Sequence, residues 1–289
     1  MVTRSNSTNG QRRDFLKTAG AAMLASAVPW NQARARTSEF AGQSLQVWSC
    51  GGLAEAFMQA NQLYEERTGT TISYTGAFAA ALGKSLLANG RTEVFAGRVL
   101  ELAQKLRSAG KMVFFNPLCF TQYVMITPKG NPAGINTIQD LARPGVKVVL
   151  APDASPPGGA AVLKLLEKTG VKDAALANTV VQGSCVQEIM TSVIDGTGDV
   201  AVVEKRLTRI PNFQGQTEVV PLPDNQQPPP PLPFTIGMME DAQNPDLARD
   251  YIAFILSEQG QACFEQQGFI PALSAKGQEL VEKLGVKDA

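Results

Sequence analysis

The sequence predicts an α/β protein of two lobes, each a mostly parallel β-sheet flanked by helices. Short apolar runs alternate with amphipathic segments along most of the chain, an order that is typical of strand–helix–strand units. Glycines follow many of the amphipathic segments, as expected where helices end. The length of 289 residues suits one large or two medium domains.

The first run of alternating elements starts at residue 44. Ser44 to Ser49 alternates polar and apolar residues as a half-buried strand does, and Cys50–Gly52 follows as a tight turn. Strands are predicted over residues 44–49, 70–75 and 93–96, and helices over residues 53–67, 77–88 and 99–109.

The second run repeats this order. Strands are predicted over residues 120–126, 147–150, 179–181, 200–203 and 234–238, and helices over residues 137–141, 158–168, 185–194, 247–256 and 259–266. Pro228 to Pro231 cannot lie inside a sheet, so we interpret this segment as an extended connector.

The order of elements predicts that the chain crosses twice between two lobes, near residues 116–122 and 230–237. The first lobe would then hold residues 36–118 and 235–289, and the second lobe residues 119–234. The last helices would pack on the first lobe. In open α/β sheets ligands bind beyond the carboxyl ends of the strands, so the site is expected between the lobes.

The N-terminal segment has the features of a twin-arginine (Tat) export signal. Arg12 and Arg13 precede an aromatic–leucine step and a lysine, and a weakly apolar stretch follows. This stretch is far shorter than the ~20 apolar residues that span a bilayer, so no permanent anchor is expected. Ala33 and Ala35 offer small side chains to a signal peptidase. We therefore predict a signal peptide over residues 1–35, export by the Tat translocase and a periplasmic location.

Charge and composition exclude several function classes. Residues 1–35 hold five basic residues and one acid, so the remaining chain has 21 basic and 25 acidic residues and a net charge of −4. Such a balance argues against a nucleic-acid partner. The chain has no histidine, which removes the commonest general base and the usual zinc and copper ligands. The missing histidines close the easiest routes to a hydrolase or an oxidoreductase without excluding either class. We expect no cofactor and no enzymatic activity.

Four turns lie at predicted strand ends, each just before a helix. Backbone N–H groups at such positions point towards bound anions, and the helix dipole favours negative charge there. If the four turns meet in one cleft, they form an anion site. The turns are Cys50–Gly52, Gly76–Phe78, Ser155–Gly159 and Ser184–Val186.

Five segments resemble the periplasmic substrate-binding proteins of ABC importers, and most closely the molybdate- and tungstate-binding branch. The resemblance covers almost the whole chain after residue 35 and implies the two-lobe (type II) periplasmic binding fold. The segments are Glu93–Gly97, Val124–Pro132, Ser155–Gly159, Val186–Glu204 and Gly268–Pro271.

The resemblance implies an oxyanion held by uncharged hydroxyls and backbone N–H groups, and this chain departs from that pattern. Cys50 stands where the family has serine, and Ala77 and Phe78 stand in place of a hydroxyl-bearing loop. Glu204 stands where the family has a ligand-binding tyrosine. Fewer donors and an added carboxylate should weaken the binding of a bare tetrahedral dianion.

The function implied by the resemblance is capture of a small inorganic oxyanion, of the molybdate, tungstate or sulfate kind, for delivery to an ABC permease in the inner membrane. A receptor role without transport stays open, since a sensor protein could recognise the closed form just as a permease does. The candidate ligand-binding residues are Ser49, Cys50, Gly51, Ala77, Phe78, Arg98, Cys119, Pro157, Gly158, Cys185, Val186 and Glu204.

Two alternatives depend on the cysteines. Cys50, Cys119 and Cys185 in one cleft would suit a thiophilic metal or metalloid, with Glu204 as an oxygen donor. Base rates favour the simpler reading that one pair of cysteines forms a disulfide and the others are buried. A cysteine-dependent enzyme would need Glu188 or Glu204 as its base.

The arginines near the predicted cleft have two readings as well. Arg98 at a strand-to-helix turn is a candidate contact for an anion. Arg206 and Arg209 are expected to be solvated or paired with acids such as Glu204.

Overall fold

The fold is taken from a computed structural model that describes residues 39–154, 156–227 and 231–288. The predicted signal peptide (1–35), Ser155 of one predicted cleft turn and Pro228–Pro230 of the predicted connector lie outside the described residues. Thr37–Ala289 forms one compact unit. Among the described residues, no helix is both long and apolar enough to cross a bilayer.

The described residues form eleven strands. In chain order they are β1 (Ser44–Cys50), β2 (Thr71–Ala77), β3 (Val94–Arg98), β4 (Met112–Phe120), β5 (Tyr123–Pro128), β6 (Val148–Leu150), β7 (Thr179–Gln182), β8 (Val200–Glu204), β9 (Thr217–Pro221), β10 (Pro233–Met239) and β11 (Ile270–Pro271).

Nine α-helices lie between these strands in the described part of the chain. They are α1 (Ala54–Thr68), α2 (Ala79–Ala88), α3 (Leu100–Ser108), α4 (Gly158–Lys168), α5 (Lys172–Ala177), α6 (Val186–Ile194), α7 (Pro245–Ile255), α8 (Glu258–Gln266) and α9 (Ala275–Leu284).

The strands form two sheets, which confirms the predicted α/β architecture. The first has the order β11-β4-β10-β3-β1-β2 and the second β7-β6-β8-β5-β9. Each sheet has a parallel group of three strands, β2-β1-β3 and β7-β6-β8. Antiparallel strands extend both groups, so each sheet is mixed. The antiparallel strands include those that carry the chain from one sheet to the other and back.

Helices cover both faces of each sheet because each presents one apolar stripe. On α1, the buried residues Phe57, Ala60 and Tyr64 recur at helical spacing, and Gly69 ends the helix with a φ of 72°. Helices α1, α7 and α8 share a core with one face of the first sheet, and α2 and α3 pack on its other face. Helices α4 and α5 pack on one face of the second sheet and α6 on the other.

The strand predicted over residues 120–126 is present as β5, but the prediction placed its start three residues too early. β4 ends at Phe120 and β5 begins at Tyr123, so Thr121 and Gln122 carry the chain from one sheet to the other. The Thr121 N–H donates to the carbonyl of Leu232 over 3.0 Å, which places the outgoing and returning crossings side by side. Strands β4, β9 and β11 and helices α5 and α9 had not been predicted.

Candidate functional site

A cleft of about 430 Å³ lies at the carboxyl ends of the parallel strands of the first sheet. Strands β1, β2 and β3 end there at Cys50, Ala77 and Arg98. The loops before α4 and α6 close the opposite side. The residues lining the cleft are Cys50, Gly51, Gly52, Ala77, Phe78, Ala79, Arg98, Asp153, Pro156, Ser184, Cys185, Val186 and Arg206.

Seven of the predicted site residues line this one cleft although they are far apart in the chain. They come from both sides, with β1, β2 and β3 on one side and the start of α6 on the other. Phe78 is a large apolar residue among them, with 72% of its surface accessible. The seven are Cys50, Gly51, Ala77, Phe78, Arg98, Cys185 and Val186.

Ser49 and Cys119 do not line the cleft, contrary to the prediction. Ser49 is fully buried, and its hydroxyl lies 2.5 Å from the hydroxyl of Tyr74. Burial, partly offset by the Ser49 hydrogen bond, raises the pKa of Tyr74 to about 12. Cys119 lies in β4 between β10 and β11, inside the hydrophobic core, and burial raises the pKa of its thiol.

Glu204 was predicted to contact the ligand, but it lies behind the lining in a buried ion-pair network. Arg98 Nη2 donates to Glu204 Oε1, and Arg206 Nε donates to Glu204 Oε2 over 2.6 Å. The side chains of Arg98 and Glu204 are 3% and 5% exposed, and that of Arg206 is 10% exposed. Because Arg98 ends β3 and Glu204 ends β8, this network joins the two sheets. Arg206 pairs with Glu204 as predicted, and it also lines the cleft.

The network fixes the protonation of its carboxylate. Burial alone would raise the pKa of Glu204, but the guanidinium groups of Arg206 and Arg98 more than offset burial and hold this pKa below its usual range. Burial likewise disfavours the charged form of Arg98, yet Glu204 raises the pKa of Arg98 above its ordinary value. The network therefore carries two positive charges and one negative charge at neutral pH.

We expect the contribution of Glu204 to stability to disappear in acid. The pKa of Glu204 is lowered in the folded state, whereas a glutamate in the unfolded chain has a pKa of about 4.3. Its contribution is therefore fully present above the unfolded pKa and is lost as the pH falls through the folded pKa. Urea unfolding of the wild type and a Glu204→Gln variant from pH 7 to pH 3 tests this. The difference in unfolding free energy should shrink on acidification; a constant difference would contradict it.

Pro157 and Gly158 do not line the cleft either. Pro157 is exposed, and Gly158 packs against the buried network. A Cβ on Gly158 would lie 2.2 Å from Glu204 Oε1 and 3.1 Å from Arg98 Nη2. The carbonyl of Gly158 accepts a hydrogen bond from the Tyr123 hydroxyl over 3.1 Å. Gly158 thus makes room for the network.

Three helices begin at the cleft without a side-chain cap, a feature that they share with α1, α3 and α5. Among the described residues, the N-caps of α2, α4 and α6 (Phe78, Pro157 and Cys185) make no side-chain hydrogen bond to the first turn. Away from the cleft, side chains cap α7, α8 and α9. The first-turn N–H groups of α2 and α6 thus lie at the cleft without a capping side chain, where an anion would be favoured.

The three cysteines proposed for a metal site are not brought together as a ligand set. Cys50 and Cys185 line the cleft, whereas Cys119 is in the core. Within the described residues, no group of three or more Cys, Asp or Glu side chains could hold a metal ion. All four cysteines are described, and each has a free thiol; Cys263 is buried in α8.

Six lining residues were absent from the predicted set. Gly52, Pro156 and Ser184 belong to turns that the sequence had already singled out, so strand-end position was a sufficient signal for them. Ala79 follows Phe78 directly. Arg206 was placed near the cleft by the sequence analysis, but it was expected to be solvated or paired and not to line the cleft. The exposed Asp153 had no signal in the sequence, since its position depends on which loops face each other.

The chain is similar in sequence and fold to known binding proteins. The molybdate-binding protein ModA of Mycobacterium tuberculosis is 24% identical over 240 residues, which cover 78% of this chain and 84% of the relative. The substrate-binding domain of a putative molybdenum ABC transporter from Clostridium difficile has a TM-score of 0.70 at 19% identity, covering 79% of this chain and 98% of that one. The periplasmic molybdate-binding protein of Azotobacter vinelandii has a TM-score of 0.62 at 15% identity, covering 78% and 98%.

These structures share the two-sheet α/β architecture, so the chain has the fold of the periplasmic binding proteins. Its residues 45–270 match the family model for bacterial extracellular solute-binding proteins, which is most of the chain. The chain therefore belongs to the bacterial extracellular solute-binding protein family.

Proposed function

We propose that this protein captures a small anion in the cleft and presents it to an ABC permease. The observation that carries the proposal is the meeting of two kinds of positive charge at one cleft: α2 and α6 begin there without side-chain caps, beside the guanidinium groups of Arg98 and Arg206. Uncapped N-termini and guanidinium groups both favour a negatively charged ligand. Inorganic oxyanions of the molybdate, tungstate or sulfate kind are the first candidates, because the relatives are named for molybdate or molybdenum.

The cellular context belongs to the same proposal. Export by the Tat translocase, with cleavage near Ala35, would deliver the folded protein to the periplasm. Lobes at residues 36–118 with 235–289 and at 119–234 would close over the ligand by a hinge motion at the two crossings. The adjacent crossings, joined by the hydrogen bond between Thr121 and Leu232, support a single pivot.

A cysteine-dependent enzyme finds less support in the cleft. Glu204, one of the two proposed bases, is held between two guanidinium groups that favour its deprotonated, weakly basic form. Glu188, the other, accepts a hydrogen bond from the Ser184 N–H over 2.8 Å. We therefore propose a binding role without catalysis.

Calorimetric titration of the purified chain with molybdate, sulfate and benzoate tests the proposal. At least one anion should bind, and Arg206→Ala should weaken that binding roughly tenfold or more, because a charge-assisted hydrogen bond is lost. Arg209→Ala is the matched control: Arg209 is exposed on the same short helical segment, so its loss should leave affinity unchanged. Failure of all three anions to bind, or equal effects of the two variants, would contradict anion capture.

The same titration on a Cys50→Ser/Cys185→Ser double variant separates anion capture from thiol chemistry. Because the proposed anion contacts come from helix N-termini and arginines and not from thiols, we expect the double variant to bind the anion with unchanged affinity. A loss of binding in the double variant would favour a ligand held by sulfur.

A further inference from the structure

The cleft offers few side-chain donors to a bare oxyanion. A desolvated tetrahedral dianion needs donors around all of its oxygens, since charged acceptors left unpaired are costly. Among the described lining residues, Ser184 carries the only hydroxyl. That hydroxyl lies 3.2 Å from Glu188 Oε2, and the Ser184 N–H donates to the same oxygen. Donation from side chains therefore rests mainly on the two arginines.

The charges at the cleft are balanced before any ligand enters. Arg98 and Arg206 contribute two positive charges, and Glu204 and Asp153 contribute two negative ones. A third carboxylate, that of Glu188, lies at the start of α6 and accepts from the Ser184 N–H. A helix N-terminus adds roughly half a positive charge, and α2 and α6 both begin at the cleft. The total is close to zero, which disfavours a dianion more than a ligand with a single negative charge.

Much of the remaining lining is apolar. Phe78 is an exposed large aromatic residue at the N-cap of α2, and Ala77 and Ala79 flank it. Pro156 and Val186 lie on the opposite side of the cleft. A volume of about 430 Å³ lies within the range of sites for small organic molecules, roughly 300–1,000 Å³. An exposed aromatic ring in such a cleft gains by contact with an apolar ligand surface.

We infer that the ligand is a small organic monoanion, with one carboxylate or sulfonate-like head group and an apolar body that packs on Phe78. The head group lies at the N-termini of α2 and α6 and near Arg206. Arg206 also reaches the turn after β1, where a Cβ on Gly52 would lie 3.3 Å from Arg206 Cζ. This inference rests on the proposed function, since it names the class of anion that the same cleft binds.

The test varies the body of the ligand while its head group is kept. The full chain is titrated with methanesulfonate against benzenesulfonate and with acetate against benzoate, and also with sulfate and molybdate. Each aromatic anion should bind roughly tenfold tighter, or more, than its methyl counterpart and than the two inorganic dianions. Phe78→Ala should reduce the affinity ratio between each aromatic anion and its methyl counterpart to about twofold or less, because the ring surface is lost.

Met58→Ala is the matched control, since Met58 is also an exposed apolar residue but lies on α1 outside the cleft lining. Met58→Ala should leave the affinity ratio between the aromatic and methyl anions unchanged. Thermal unfolding shows whether each variant is folded. If sulfate or molybdate binds as tightly as benzenesulfonate, or if Phe78→Ala keeps the ratio, the inference is overturned while anion capture stands. If none of these anions binds, both proposals fall.

Discussion

Replacing Glu204 with glutamine is expected to lower the free energy of unfolding by roughly 3–5 kcal/mol, because two buried guanidinium groups lose their counter-charge. Glutamine keeps the shape of the side chain, so the loss reports on charge and not on packing. Urea denaturation at pH 7, with the unfolding slope compared between variants, measures it.

The matched control for this prediction is Glu282→Gln, since Glu282 is an exposed carboxylate on α9. Its loss should change stability by less than about 0.5 kcal/mol. A double variant, Glu204→Gln with Arg98→Met, should lose less than the sum of the two single variants, because removing Arg98 also removes an uncompensated charge. A loss for Glu204→Gln no larger than that of the control would show that the network does not hold the two sheets together.

Gly159→Ala is expected to destabilise the protein by about 1–3 kcal/mol, although alanine normally favours a helix over glycine by about 1 kcal/mol. Gly159 lies in the first turn of α4, where an added Cβ would lie 2.2 Å from the carbonyl oxygen of Ala151 and 2.5 Å from that of Pro152. These are backbone atoms, so the loop that leads to Asp153 and Pro156 must shift. Thermal or urea unfolding measures the cost, and calorimetry shows whether the cleft is disturbed.

Gly183→Ala serves as the control for this second substitution. Gly183 precedes α6 on the same side of the cleft, and the atom nearest to its added Cβ is Glu188 Oε2 at 3.4 Å, an ordinary contact. We expect little change in stability for that variant. If Gly159→Ala were as stable as the wild type, the close approach of α4 to the preceding loop would not be needed for the fold.

The buried parallel strands could be predicted from sequence because their environment is simple. All five residues of β3 and all five of β8 are buried, and such continuous apolar runs are typical of strands covered on both faces.

β4 was missed because Asn116 and Pro117 interrupt its apolar pattern. The ladder between β4 and β10 has a register shift near Pro117, and such an irregularity accommodates a proline inside a sheet.

The loops that form the candidate site could be predicted from sequence, but the orientation and pairing of its side chains could not. Strand-end turns have a local signature, so the loops at Cys50, Phe78 and Cys185 could be singled out without coordinates. Whether Ser49 or Cys50 faces the cleft depends on how β1 sits in its sheet. The pairing of Arg98 with Glu204 joins residues more than one hundred positions apart, and no local pattern encodes such a contact.

The position of β10 constrains the order in which the strands can pair while the chain is being synthesised. β10 lies between β3 and β4, yet it follows the whole second sheet in the chain. A nascent chain that ends before Pro233 can pair the strands of the second sheet, which lie within residues 123–221, but cannot join β3 to β4. Such non-local pairing is slow to form. Arg98, which pairs with Phe234 in this ladder, therefore gains its β10 neighbour only late in biosynthesis, and C-terminal truncation before Pro233 leaves β3 and β4 without the strand that joins them.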